Sequence, residues 1–173
     1  MLSEENDPSP YEVGGQWVLG IGTERRYFGP NTKMSKLFAK GKGAKYMEDN
    51  WRKKYEDNVI PDGGTYTDFS YDFTWIDKGA RAFNTSNPAE HFIGSWSGSA
   101  HATEDLIVFR ASNVTSIRSL TFGKNIDQIN EAHNLNIPSL PDLPNRSGPN
   151  GPRVPLGNME TIIEWVKPRK KSK

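Results

Sequence analysis

The chain has 173 residues, 34% of them hydrophobic, with a net charge of +1 and no cysteine. Its length holds one domain with a core of its own, and the missing cysteines exclude disulfides, thiolate metal sites, cysteine nucleophiles and a zinc deaminase of the His/Cys/Cys type. No apolar run approaches the ~18 residues of a membrane-crossing helix, and the acidic start lacks the basic and apolar pattern of a secretory signal.

Mean hydropathy is low, at −0.73. Five Trp, six Tyr and eight Phe offset it, because each aromatic side chain buries a large area. An aromatic core is therefore expected.

Residues 1–15 are polar and rich in Pro and Gly, which predicts a leader or linker. Residues 16–21 read as a first short strand. Gly29 and Pro30 break the chain. Asn31 is then a candidate N-cap for a helix through Met34, Leu37 and Phe38. A second helix is expected from Ala44 to about Asp57. In it Met47, Trp51 and Tyr55 recur at i, i+4 and i+8, an apolar stripe on a charged segment. Residues 61–64 form a strong turn signal.

The period then changes. Phe69, Tyr71, Phe73 and Trp75 alternate with Asp68, Ser70, Asp72 and Thr74, the pattern of a half-buried antiparallel strand. Residues 92–100 read as another strand, with Phe92, Gly94 and Trp96 in alternation. Leu106 to Phe109 suits a central strand, reached through a hairpin-sized connection. Thr115 to Phe122 and Met159 to Val166 supply two more, the latter ending the sheet. Residues 125–134 read as a short helix, and residues 137–156 as a Pro/Gly-rich loop. The expected fold is α+β: N-terminal helices packed on a twisted antiparallel β-sheet of five or six strands, with that long loop before the last strand. The expected domain spans residues 16–166, followed by a basic tail, 167–173. The tail holds five basic residues, so the remainder carries −4 out of a total of +1. A basic run can contact nucleic acid or anionic lipid, or simply be a solvated end.

The candidate chemistry falls in the second half. His101 lies near the tip of the expected hairpin, with Glu104 and Asp105 close by. A histidine beside carboxylates serves as a general base or holds a metal-bound water, and Arg110 offers a phosphate clamp. The alternative is an exposed polar turn. His91 follows an Asn-Pro turn, where hydrogen bonding to the turn is the expected role. His133 reads as solvent-facing. The short polar side chains of residues 112–116 suggest a turn that could approach a phosphate or ribose. Arg110, Ser116 and Glu164 follow the order Arg, Ser, Glu of one class of ADP-ribosyltransferase, which would make NAD the cofactor. Gly20, Gly22, Arg25 and Arg26 lack the third glycine of a dinucleotide fingerprint and the Gly-Lys-Ser/Thr of a P-loop. The basic helices, with interleaved Tyr46, Trp51 and Tyr55, suit phosphate contact and base stacking, although the Met47, Trp51 and Tyr55 stripe is also what such a helix needs for docking.

Three segments together resemble the C-terminal domains of bacterial Rhs-repeat polymorphic toxins. They are Asn87-Pro88 with Phe92-Ile93-Gly94-Ser95-Trp96, Asn113 with Thr115-Ser116, and Ser147-Gly148-Pro149 leading to a last strand that ends at Trp165. The resemblance implies a secreted effector or toxin domain, delivered by a bacterial secretion system and met by a cognate immunity protein. It supplies no reaction. The leading expectation is an enzyme acting on nucleic acid or nucleotide in the target-cell cytoplasm. The alternatives are an NAD-using ADP-ribosyltransferase-like effector and a non-enzymatic binding module. No membrane span is expected, and the isolated domain is expected to be a monomer.

Overall fold

A computed structural model of the chain describes residues 7–56, 65–71, 86–116 and 154–169. Its elements run α1 (Pro10–Val18), β1 (Arg25–Phe28), α2 (Lys33–Phe38), α3 (Lys42–Glu56), β2 (Thr65–Tyr71), α4 (Pro88–Ile93), β3 (Trp96–Ala102), β4 (Leu106–Thr115) and β5 (Met159–Pro168). The fold is α+β, with the strands in the order β1-β5-β4-β3-β2.

Two local expectations fail at the start. Residues 10–15 belong to α1 and not to a leader, and residues 16–18 end that helix instead of opening a strand. The cause is a capping box. Ser9 accepts from the Glu12 backbone N–H, while the Glu12 carboxylate accepts from the Ser9 backbone N–H, with Pro10 at the first helical position. Thr32, not Asn31, caps α2, and its hydroxyl accepts from the Ser35 backbone N–H at 3.3 Å. The α3 stripe behaves as read: Met47 and Trp51 are buried. The side chains of Tyr55, Phe69 and Tyr71 lie outside the described residues.

Residues 88–93 form helix α4, in place of the expected Asn-Pro turn and the strand start at Phe92, so His91 sits in a last helical turn. The Asn87 side chain accepts from Ala89 N–H, and Pro88 occupies the first turn. β3 therefore begins at Trp96. Residues 112–115 are strand and not a turn: β4 runs on through Thr115. The separate strand expected from Thr115 to Phe122 lies outside the described residues beyond Ser116, as do Phe73, Trp75, His133, the short helix at 125–134 and the Pro/Gly-rich loop up to residue 153.

The sheet is mixed, not wholly antiparallel. β5 pairs antiparallel with β4 from Met159↔Thr115 to Pro168↔Leu106, and parallel with β1, from Arg25↔Glu160 to Phe28↔Ile163. It thus lies inside the sheet and does not end it. Lys167 and Pro168, expected in the tail, are its last residues. Arg169 then donates from its backbone to Asp105 O and from its side chain to Thr103 O.

The helices cover one face of the sheet. Trp96, Ala100, Phe109, Ala111, Ile163 and Trp165 point into that layer and are buried. Phe109 stacks on Trp165 with ring centroids 5.4 Å apart, and Phe38 meets Trp165 edge-on at 5.2 Å. The Trp165 indole N–H donates to Glu48 in α3 at 3.1 Å. A Cβ on Gly98 would sit 2.7 Å from Arg110 O and 3.0 Å from Met47 Cε, so a glycine here lets α3 lie close to the strands.

A buried carboxylate ties this layer together. Glu90 in α4 is 4% exposed, and its Oε1 accepts from Gly43 N–H in the first turn of α3 at 2.6 Å. An anion there complements the positive end of the helix dipole. Gly41 leaves the room: a Cβ on it would overlap the Glu90 carboxyl group.

Gly41→Ala is expected to destabilise the fold by about 1–3 kcal/mol in urea unfolding, because the locked, buried carboxylate has nowhere to move. Glu12 lies below its usual range, chiefly because the Ser9 backbone N–H and then the Ser9 hydroxyl hydrogen-bond its carboxylate. A depressed folded value means that its contribution is present above the unfolded value and lost as pH falls through the folded one. An NMR titration of the Glu12 carboxyl is expected to show a midpoint below that of a model peptide, and Ser9→Ala should move it back.

Candidate functional site

The sheet face away from the helices carries the polar groups. Strand alternation places Arg25 and Tyr27 of β1, Glu160 and Glu164 of β5, Arg110 and Ser112 of β4, and Ser97, Ser99 and His101 of β3 on this side.

Arg110 lies directly across from Glu164. Its Nη2 and Nε both donate to Glu164 Oε2, at 2.8 and 3.2 Å. The other carboxylate oxygen, Oε1, accepts from the Tyr27 hydroxyl at 2.8 Å. The Glu164 backbone is held as well, since Ser35 Oγ of α2 donates to its carbonyl. The side chains differ in burial: Glu164 is 13% exposed and Arg110 53%. The carboxylate is thus sunk into the face and the guanidinium lies over it. A second pair, Arg25 and Glu160, stands four residues back along β5 at 2.8 Å.

His101 pairs across β3 and β4 with Val108, so Arg110 is its diagonal neighbour on the same face. Such neighbours have backbones about 7–8 Å apart, within reach of long side chains. His101 Nδ1 is 2.7 Å from the Thr65 hydroxyl of β2, which fixes the ring. With Nδ1 engaged, Nε2 is the nitrogen left to serve a substrate.

The sequence-derived candidates separate into groups. Arg110 and Glu164 come together. His101 joins them on the same face, through Thr65 rather than through Glu104 or Asp105. Those two are exposed at the β3–β4 turn, where Asp105 O accepts from Arg169 N at 2.8 Å. Ser116 lies just past the end of β4, six residues from Arg110 and about 20 Å away at ordinary strand rise, so the Arg, Ser, Glu order is not gathered at one point. Among the described residues no three His, Cys, Asp or Glu side chains group as a metal site. Arg25 and Arg26 are both engaged inside the molecule: Arg25 with Glu160, and Arg26 with Gln16 at 2.5 Å.

Sequence reasoning missed Tyr27, Thr65 and the Arg25–Glu160 pair. The alternation in residues 25–28 puts Arg25 and Tyr27 on one side, which is a usable signal. Their meeting with β5 depends on a pairing 135 residues apart and has no local signature.

The pair with Arg110 lies half in water, so its worth to stability is on the order of 0–1 kcal/mol. Arg110→Ala is expected to lower the unfolding free energy measured in urea by no more than that, leaving a folded protein for functional assays. A loss of several kcal/mol would instead assign the pair a structural role.

Among the described residues no helix is long and apolar enough to cross a membrane. No protein-family model, curated protein or solved structure matches the chain.

Proposed function

We propose that this chain is an effector domain of the bacterial polymorphic-toxin kind that cleaves RNA on the outer face of its sheet. One observation carries the reading: a carboxylate held from both sides, a guanidinium lying on it and a fixed imidazole diagonal to that guanidinium share one face. Those are the groups needed to break a phosphodiester through its neighbouring 2′-hydroxyl.

In the proposed reaction Glu164 takes the proton of the 2′-hydroxyl. An ionised carboxylate only accepts, which suits it to the base. The 2′-oxygen attacks phosphorus, and the bond from phosphorus to the 5′-oxygen breaks. His101 gives a proton to that leaving oxygen from Nε2. The products are a 2′,3′-cyclic phosphate and a 5′-hydroxyl, with no other reactant consumed. Arg110 sits where charge builds on the phosphoryl oxygens and stabilises it, and Tyr27 fixes Glu164 while this happens. His101, first read as a base, thus serves as the acid. Across two strand spacings and two residues its backbone lies about 12 Å from that of Glu164, which leaves room for a phosphate between the side chains.

The resemblance to Rhs-type C-terminal domains supports the setting. In it the domain is delivered by a secretion system to a target-cell cytoplasm, with an immunity protein as its partner. The NAD-using alternative draws less support, because Ser116 is remote from Arg110 and Glu164.

The purified protein is expected to cut an end-labelled RNA oligonucleotide and leave 2′,3′-cyclic phosphate ends, while an all-deoxy oligonucleotide stays intact. Glu164→Gln and His101→Ala should each lower kcat by about 10²–10⁴-fold in proteins of unchanged circular dichroism. Induced cytoplasmic expression should arrest bacterial growth, and the double variant should relieve it. Intact RNA with folded wild-type protein would reject the reading. NAD consumption under the same conditions would favour the alternative.

A further inference from the structure

The basic character of α3 is not spent on the core. Met47 and Trp51 turn inward, and Trp51 meets Phe109 edge-on. Helical spacing then puts Lys42, Lys45, Tyr46, Asp49, Arg52 and Lys53 on the opposite side, and all six are exposed. Lys45 is paired with Asp49 at 3.0 Å. The four cations and one carboxylate leave this face at +3, on a chain whose total is +1. The 15-residue helix is about 22 Å long, so the charge is concentrated. In its midst Tyr46 is 46% exposed, a large ring turned away from the apolar stripe.

We propose that this outward face of α3 binds single-stranded nucleic acid. Cations along a groove or helix track phosphates, and an exposed ring among them offers a base a stacking surface. A lipid surface fits less well. A membrane-lying helix needs an apolar face to bury in the bilayer, and the apolar face of α3 is already spent on the sheet. A duplex hides the faces of its bases, so an unpaired strand is the form that uses Tyr46. Because the helices cover one side of the sheet and the polar groups occupy the other, the surface lies apart from Glu164, Arg110 and His101. It deepens the RNA-cleavage reading and rests on it for its role: a long substrate is held on α3 while a distant part of it reaches the outer sheet face.

The test is fluorescence anisotropy with a labelled 20-nucleotide single-stranded RNA at 20–200 mM salt, in a Glu164→Gln background that prevents cleavage. Tyr46→Ala is expected to weaken binding by about 5–100-fold, the effect of losing one stacked base. Lys42→Gln with Lys53→Gln is expected to reduce the slope of log affinity against log salt by about 1.4, two single-strand phosphate contacts. In the wild-type background the same changes should leave turnover of a dinucleotide unaltered and raise KM for the 20-mer. RNA binding unchanged in all these variants overturns the proposal. So does binding to phosphatidylserine vesicles that the variants lose while RNA binding persists. RNA binding through α3 without cleavage of either substrate would reject the catalytic reading and leave the surface standing. Cleavage with unaltered binding in the variants would do the reverse.

Discussion

The pleat of β5 is the constraint on which the rest of the molecule depends. Met159, Thr161, Ile163 and Trp165 face the helices, and Glu160, Ile162, Glu164 and Val166 face away. Because the side-chain period of a strand is two, a one-residue slip would move Trp165 out of the core and Glu164 into it. The register that buries the tryptophan against Phe38 and Phe109 is therefore the register that delivers the carboxylate to Arg110 and Tyr27. Core packing and site geometry are here one event seen from two sides of one strand. The energetic weight lies on the buried side. A large aromatic in a packed core is worth roughly 3–5 kcal/mol on truncation, against on the order of 1 for a half-exposed ion pair.

Polar groups inside the helical layer act as fasteners. Glu90 holds the start of α3, Asn113 Nδ2 donates to Ile93 O at the end of α4, and the Trp17 indole N–H donates to Gly157 O just before β5. Each links elements far apart in sequence by one hydrogen bond to a backbone group or helix end. A core of modest apolar content gains its uniqueness from such directional contacts, because an unmet buried polar group disfavours every competing arrangement.

What could be read in the sequence follows from the range of the forces involved. The α+β class, the α3 stripe at Met47 and Trp51, and the strand character of residues 68–71, 106–109 and 159–166 rest on local periodicity, and the structure bears them out. The leader and strand expected at 1–21, and the Asn-Pro turn and strand start expected at 87–93, give way to α1 and α4, because Pro and Gly alone weigh more in such a reading than the caps do. Ser9 with Glu12, and Asn87 with Pro88, are the local signals that reverse those readings. The place of β5 inside the sheet, and the parallel partner it finds in β1, depend on pairings that no window of residues contains. The same holds for the site. Arg110 and Glu164 were visible as chemical types, but their pairing is a matter of register. Alternation in residues 25–28 marks the side on which Tyr27 lies, but only strands distant in the chain bring Tyr27 beside Glu164 and Thr65 beside His101.

The interior position of β5 also bears on how the molecule comes into being. β1 precedes it by some 135 residues and, among the described residues, bonds to no other strand in the sheet. As the polypeptide leaves the ribosome, the hairpin of β3 and β4 can form early from neighbours, whereas β1 must wait for a strand synthesised long after it. Closing so large a loop delays the rewarding contacts, and topologies of this kind fold slowly. Until β5 inserts, β1 is unjoined to the β4-β3-β2 part of the sheet, and Glu164 has neither Arg110 nor Tyr27 beside it. Maturation is thereby tied to the arrival of one late segment, and a nascent chain that lacks it is without the assembled carboxylate.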